Sequence, residues 1–240
     1  MPLTYFIYNM ITVHHLNNSR SQRILWLLEE LQLDYDVKYY QRDPETMLAP
    51  AALRQIHPLG KSPVITDDSL TIAESGAIIE YLVERYGEGR FAPPLDVPER
   101  LRYRYWLHYA EGSLMPPLLI NLVFDQMEAR SPFLLRPIVG ATSQPVKSSF
   151  IEPQITTHLD YLEAELAHDP WFVGNEFTAA DIQMSFPLET AVEQGVLDHS
   201  RPKLMDWLDR IHTRPPYQSA LKRSTEDESK QQEKLASRIN

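Results

Sequence analysis

Residues 56–79 constrain this chain more than any other stretch. Ile56-His-Pro-Leu-Gly-Lys-Ser-Pro-Val-Ile-Thr is followed at Ala73 by Ala-Glu-Ser-Gly-Ala-Ile-Ile. A Pro58-Leu59-Gly60 turn opens the segment, Lys61-Ser62-Pro63-Val64 leads into a strand, and Glu74-Ser75 stands just before an apolar helical run. Few folds need that order of parts. Proline supplies most cis peptide bonds, so a cis Ser62-Pro63 bond would turn the main chain of Val64 toward an extended ligand backbone, a strand addition in miniature. Ser75 reads as a helix start, where unpaired N–H groups and the positive dipole end attract a carboxylate. Glu74 suits an ammonium group, and Lys61 a second carboxylate. Taken singly, these residues are an N-cap, a solvated charge and a trans proline. In this order they describe a site for a ligand with an α-amino acid head, a peptide middle and an acidic tail.

The same residues resemble the glutathione-binding half of the cytosolic glutathione transferases. Ser19-Arg20-Ser21 upstream and Tyr109-Ala-Glu-Gly-Ser-Leu-Met-Pro-Pro-Leu downstream are similar to a fungal and bacterial branch of that family. The likeness covers roughly residues 11 to 220. It implies an α/β thioredoxin-like N-terminal domain, an all-α C-terminal domain, a homodimer and reduced glutathione as co-substrate. By the same likeness Lys61 holds the glycine carboxylate, Val64 the cysteinyl backbone, and Glu74 with Ser75 the γ-glutamyl head, with Ser62 and Pro63 also among the glutathione-binding residues.

Composition narrows the chemistry. The chain of 240 residues has no cysteine, so any reacting thiol comes from the substrate. A formal net charge of −10 argues against nonspecific nucleic-acid or anionic-membrane binding, which needs clustered Lys and Arg. No apolar run approaches the ~20 residues of a membrane span, and no secretory signal is visible, so the default location is cytoplasmic. The histidines lack ligand spacing, and His14 and His15, adjacent on a strand, point to opposite faces, so no metal is expected.

Residues 10–87 are predicted to form the first domain, with strands at 11–15, 35–40, 63–66 and 70–72, a helix carrying Ile24, Leu27, Leu28 and Leu31, a short helix ending near Ile56, and a closing helix from Ser75 to Tyr86. Residues 88–97 read as a linker and 98–223 as the helical domain, in which Pro116-Pro117 must interrupt a long helical segment. Thr178 and Asp181 are a helix cap in the core, with Phe177 stapling the turn. Residues 1–9 are expected to be an extension ahead of the fold, and 224–240 a polar tail with little to bury.

Catalysis is expected where the first helix begins, at Asn17-Asn18-Ser19-Arg20-Ser21-Gln22. A thiol bound there has its thiolate, the nucleophilic form, favoured by the dipole and by donors. One pKa unit needs only ~1.4 kcal/mol of preferential stabilisation, within reach of one charge-assisted hydrogen bond. Ser19, Asn18 and Ser21 are the candidate donors, and Arg20 adds positive potential. Ser19-x-x-Gln22 also reads as a capping box. A small hydrophobic electrophile is expected against Tyr103, Trp106, Tyr109 and Met115, a stripe that equally suits a core or a dimer contact. The reading is therefore a glutathione transferase, with peroxidase or thiol-transfer activity as a variant. The alternative is a non-catalytic glutathione-binding or regulatory protein.

Overall fold

The computed structural model describes residues 10–225, so the expectations for residues 1–9 and for the tail beyond 225 lie outside the described part. The chain divides into two units, Met1–Glu88 with Thr213–Asn240, and Gly89–His212.

The first unit is built on a four-stranded sheet in the order β2-β1-β3-β4. Its strands are β1 (Ile11–Leu16), β2 (Tyr35–Tyr40), β3 (Val64–Asp67) and β4 (Leu70–Ala73). β1 pairs parallel with β2, Ile11 opposite Tyr35, which requires the crossover helix α1 (Ser21–Leu31) between them. β3 runs antiparallel to both β1 and β4, closing a hairpin whose turn residue Asp68 has φ +52°. Helix α2 (Ser75–Tyr86) completes the βαβ-ββα order of a thioredoxin-like unit. A short 3₁₀ turn, Ala51–Gln55, precedes the proline-led segment. Ser62-Pro63 is cis, as its context suggested.

Helix α1 is buried nearly all round, including Arg23 and Glu30, which is unusual for a helix lying on one face of a sheet. Its second cover comes from the far end of the chain. A final helix, α9 (215–225), groups with this unit rather than with the helical one to which residues 213–223 were expected to belong. The physical reason is a set of contacts that α1 and β2 could not satisfy alone. Arg214 forms a two-pronged pair with Glu30 at 2.6 and 2.8 Å, and the Tyr217 ring meets Trp26 edge-on at 5.1 Å. Arg223 lies over the Tyr35 ring at 4.1 Å and donates to the Tyr35 carbonyl.

The second unit is all helical: α3 (Glu99–Tyr109), α4 (Met115–Arg130), α5 (Arg136–Val146), α6 (Glu152–Glu165), α7 (Ala179–Glu193) and α8 (Pro202–His212). The expected break at Pro116-Pro117 is a wide turn, Ala110–Leu114, through which the chain stays helical, and both prolines follow it in the first turn of α4. A second wide turn, Lys147–Ile151, delivers Pro153 to the first turn of α6 in the same way. Trp106, Phe172 and Trp207 meet in series in the core, the first pair tilted and the second edge-on, with ring separations of 4.9 and 5.1 Å. No described helix is long and apolar enough to cross a membrane.

Candidate functional site

The candidate site of the first unit is where the starts of α1 and α2 meet the cis-proline segment. The chain reaches α1 through Asn17 and Asn18, the latter with φ +48°. Arg42 fixes this approach: its backbone N–H donates to Asn17 Oδ1 at 2.9 Å, and its guanidinium to the carbonyls of Asn17 and Asn18 at 3.2 and 3.1 Å. Burial first, and then the charge of Arg20, lowers the Arg42 pKa, so two cations lie close to the α1 start.

Ser19 is buried and Asn18 exposed. Ser19 Oγ lies 2.7 Å from Ser21 Oγ and 3.4 Å from Ser62 Oγ, which in turn donates to the His14 carbonyl at 2.9 Å. Three hydroxyls thus tie α1 to the residue before the cis proline. The expected capping box differs in detail. The N-cap of α1 is Arg20, without a side-chain cap, and Ser19 Oγ receives only the Ser21 N–H, at 3.3 Å. Ser21 itself is completely buried and bonds His15 Nδ1 at 2.9 Å.

At the second helix start, Glu74 is the N-cap of α2, exposed, with φ +72°, a backbone angle uncommon for a residue with a side chain. Ser75, 4% exposed, accepts from the buried Arg23 at 3.0 Å. Lys61 is exposed, while Pro63 and Val64 are buried in the wall of the site. The turn before them needs glycine at residue 60, where φ is +56° and an added Cβ would sit 2.7 Å from Arg54 Cγ. Gly60 N–H closes the turn on the His57 carbonyl at 2.8 Å.

Residues 19–85 match the family model for the glutathione S-transferase N-terminal domain, and residues 127–215 that for its C-terminal domain. Glutathione S-transferase 3 of Schizosaccharomyces pombe is 39% identical over 206 residues, covering 86% of this chain and 84% of that protein. The chain belongs to the glutathione S-transferase family. Glutathione S-transferase 1 of Saccharomyces cerevisiae is 30% identical over 224 residues, covering 90% of this transferase and 95% of the yeast protein. The crystal structure of a glutathione S-transferase from Actinobacillus pleuropneumoniae superposes with a TM-score of 0.76 at 35% identity, covering 90% and 93% of the two chains.

Three residues of this transferase's site escaped the sequence reading. Arg23 is a charge directly before the apolar run Ile24–Leu28, on a helix buried nearly all round, and its internal partner is Ser75. Arg42 had no signal beyond its place in a polar loop. His15 was weighed only as a metal ligand, whereas its ring bonds a serine. The expected electrophile surface is corrected by the packing. Tyr103, Trp106, Tyr109 and Met115 are 1%, 1%, 7% and 6% exposed, and the Trp106 ring sits against Tyr161, Tyr109 and Phe172. An aromatic stripe at helical spacing is here the core of the helical unit. Among the described residues, no group of three or more His, Cys, Asp or Glu is placed to hold a metal.

Proposed function

We propose that this transferase binds reduced glutathione across the starts of α1 and α2 and adds its thiolate to a small hydrophobic electrophile. The observation that carries the reading is the link from Ser19 Oγ to Ser62 Oγ at 3.4 Å. It sets the hydroxyl beside the residues that would pair with the cysteinyl backbone. In this reading Val64 pairs with that backbone, Lys61 neutralises the glycine carboxylate, and Glu74 and the Ser75 amide take the γ-glutamyl ammonium and carboxylate. Ser19 is the partner of the sulfur. Ser21 is too deeply buried to touch it, and Asn18, exposed beside it, is the rival. Arg20 and Arg42 add positive potential that favours the anion.

The assembly is a homodimer, supported by apolar side chains left exposed on the α4–α5 hairpin, among them Val123, Met127, Phe133, Leu134 and Ile138, at 45–83% exposure. Sedimentation at micromolar concentration should give twice the chain mass. A cytoplasmic location suits a co-substrate kept reduced there.

Retention on immobilised glutathione, followed by thiolate absorbance of the bound tripeptide against pH, tests the reading. Wild type should be retained and should show thiolate near neutral pH, with Ser19→Ala losing most of it. Free passage of the folded protein through the column would overturn the assignment. If Asn18→Ala, and not Ser19→Ala, removes the absorbance, the donor is Asn18. A conjugation assay with a small aromatic electrophile, run beside a peroxide and a mixed disulfide, separates transfer from peroxidase and thiol-transfer chemistry. Binding without turnover in all three would mark a regulatory glutathione-binding protein.

A further inference from the structure

We propose that Arg23 is a positioning residue for the glutamyl end of the site. From α1 it commits the Ser75 hydroxyl to donating and sets a positive charge behind it, so that the head of the ligand must carry a carboxylate. The inference rests on the proposed glutathione reading and deepens it by naming what that end of the site selects.

Arg23 and Ser75 join two helices. Arg23, in the first turn of α1, is 1% exposed and donates through Nη2 to Ser75 Oγ at 3.0 Å, and Ser75, the first residue of α2, is 4% exposed. Burying a cation is costly, so a charge at this depth calls for an anion. The other buried charge of α1, Glu30, has one in reverse: the two-pronged pair with Arg214. The bond from Arg23 to Ser75 differs, because a hydroxyl neutralises no charge.

Donor chemistry fixes the polarity of that bond. A guanidinium carries only N–H donors, so Ser75 Oγ accepts and keeps its own hydrogen. Deeper in a helix that hydrogen would go to a carbonyl one turn back. At the first residue of α2 no such turn precedes it, since β4 runs up to Ala73. Among the described residues the Ser75 hydrogen meets no acceptor.

The main chain points to the same ligand. The first bond within α2 runs from the Ile78 N–H to the Glu74 carbonyl at 2.9 Å, so the N–H groups of Ser75, Gly76 and Ala77 have no partner in the helix. Glu74, the exposed N-cap, supplies no side-chain cap. A carboxylate seated here receives hydroxyl and main-chain hydrogens together, with the Arg23 charge one hydroxyl away. A head without that carboxylate leaves the donors unspent. Lysine at residue 23 would preserve both functions, because an ammonium also only donates and is charged. Glutamine would preserve neither, since it is neutral and its carbonyl can take the Ser75 hydrogen.

The test is calorimetric titration of the full chain with S-methylglutathione and with the analogue in which γ-aminobutyrate replaces the glutamyl residue, which removes only its α-carboxylate. Wild type should prefer S-methylglutathione by about a hundredfold, and Arg23→Gln should cut that preference about tenfold by weakening S-methylglutathione while leaving the analogue alone. Arg23→Lys should restore most of it. Ser75→Ala should lose the preference to a similar extent, because Arg23 acts through that hydroxyl, and it carries the test if Arg23→Gln does not fold. An arginine that served only packing would weaken both ligands together. Equal losses in Arg23→Gln, or an undiminished preference in Ser75→Ala, would overturn the positioning role and leave glutathione binding intact. A wild type that binds the two ligands equally would also overturn the role alone. Binding of neither ligand, with no retention on immobilised glutathione, would instead overturn the glutathione reading, and the role with it.

Discussion

The helical unit and the candidate site of the first unit treat their helix starts in opposite ways. In the helical unit the chain supplies its own closure. Asp181 accepts from the Thr178 and Phe172 N–H groups at 2.9 and 3.0 Å and from Trp207 Nε1 at 3.3 Å, completing a capping box for α7. Glu163 accepts from the Lys203 and Leu204 N–H groups at the start of α8, both at 2.9 Å. Helices α4, α5 and α6 carry proline in their first turn, and α3 carries Glu99 there. In the first unit α1 and α2 have neither a side-chain cap, nor a first-turn acid, nor a proline. A helix start finished from within serves the fold, whereas one left with unspent donors serves an anionic ligand.

The largest effect expected from this contrast is at Asp181. Replacing it by alanine strands four buried donors, three N–H groups and the Thr178 hydroxyl, at a cost of roughly 3 kcal/mol or more, measurable by denaturant unfolding of the helical unit. Its charge also leaves a signature. Burial outweighs the hydrogen bonds and raises the carboxyl pKa from 3.8 to about 6, so its contribution is fully present below pH 3.8 and is lost as pH rises through 6. His14 and His15, lowered by burial from 6.5 to about 4, act the other way in the first unit: their contribution is present above 6.5 and is lost as pH falls through 4. The terms oppose each other between pH 6.5 and 4. Asp181→Asn should therefore steepen the acid loss of stability, and an unchanged slope would contradict this assignment.

Next in size is the effect on affinity. The Glu74→Ala, Ser75→Ala double variant should weaken glutathione binding by about tenfold or more, the loss of one charged interaction and its supporting hydroxyl, and should also lower the unfolding midpoint because the buried Arg23 loses the Ser75 acceptor, whereas Glu74→Ala alone, at an exposed residue, should weaken binding with little change in midpoint. Equal affinity in a calorimetric titration would show that the open start of α2 is not the glutamyl site.

The sequence carried most of the architecture because hydrophobic period and turn residues act locally. β2 and α2 have the expected bounds, and the cis proline and the interruption ahead of Pro116-Pro117 follow from chemistry within a few residues. What it could not carry was long-range pairing. The return of α9 to the first unit depends on Arg214 meeting Glu30, 184 residues away, and on Arg223 covering Tyr35, 188 residues away. The same limit hid the Arg23–Ser75 bond. For the aromatic stripe of α3, spacing showed that the rings share a face but could not say what that face meets.

The smallest effect makes the sharpest use of the comparison. Thr178→Ala removes a hydroxyl that lies 3.2 Å from Asp181 at a closed helix start, and should cost about 1 kcal/mol, as cap deletions do. Ser19→Ala removes a hydroxyl at an open start, where its one backbone partner is a weak 3.3 Å contact. Its stability cost should be a few tenths of a kcal/mol, since Ser21 keeps His15 as a partner. The two serve different ends, so their rankings should cross: Thr178→Ala lowers the unfolding midpoint and leaves bound-thiolate absorbance alone, whereas Ser19→Ala does the reverse. Were Ser19→Ala to cost as much stability as Thr178→Ala while the thiolate signal persisted, the start of α1 would be closed in the same sense as that of α7. The distinction between structural and functional helix starts would then fail at the position where it matters most.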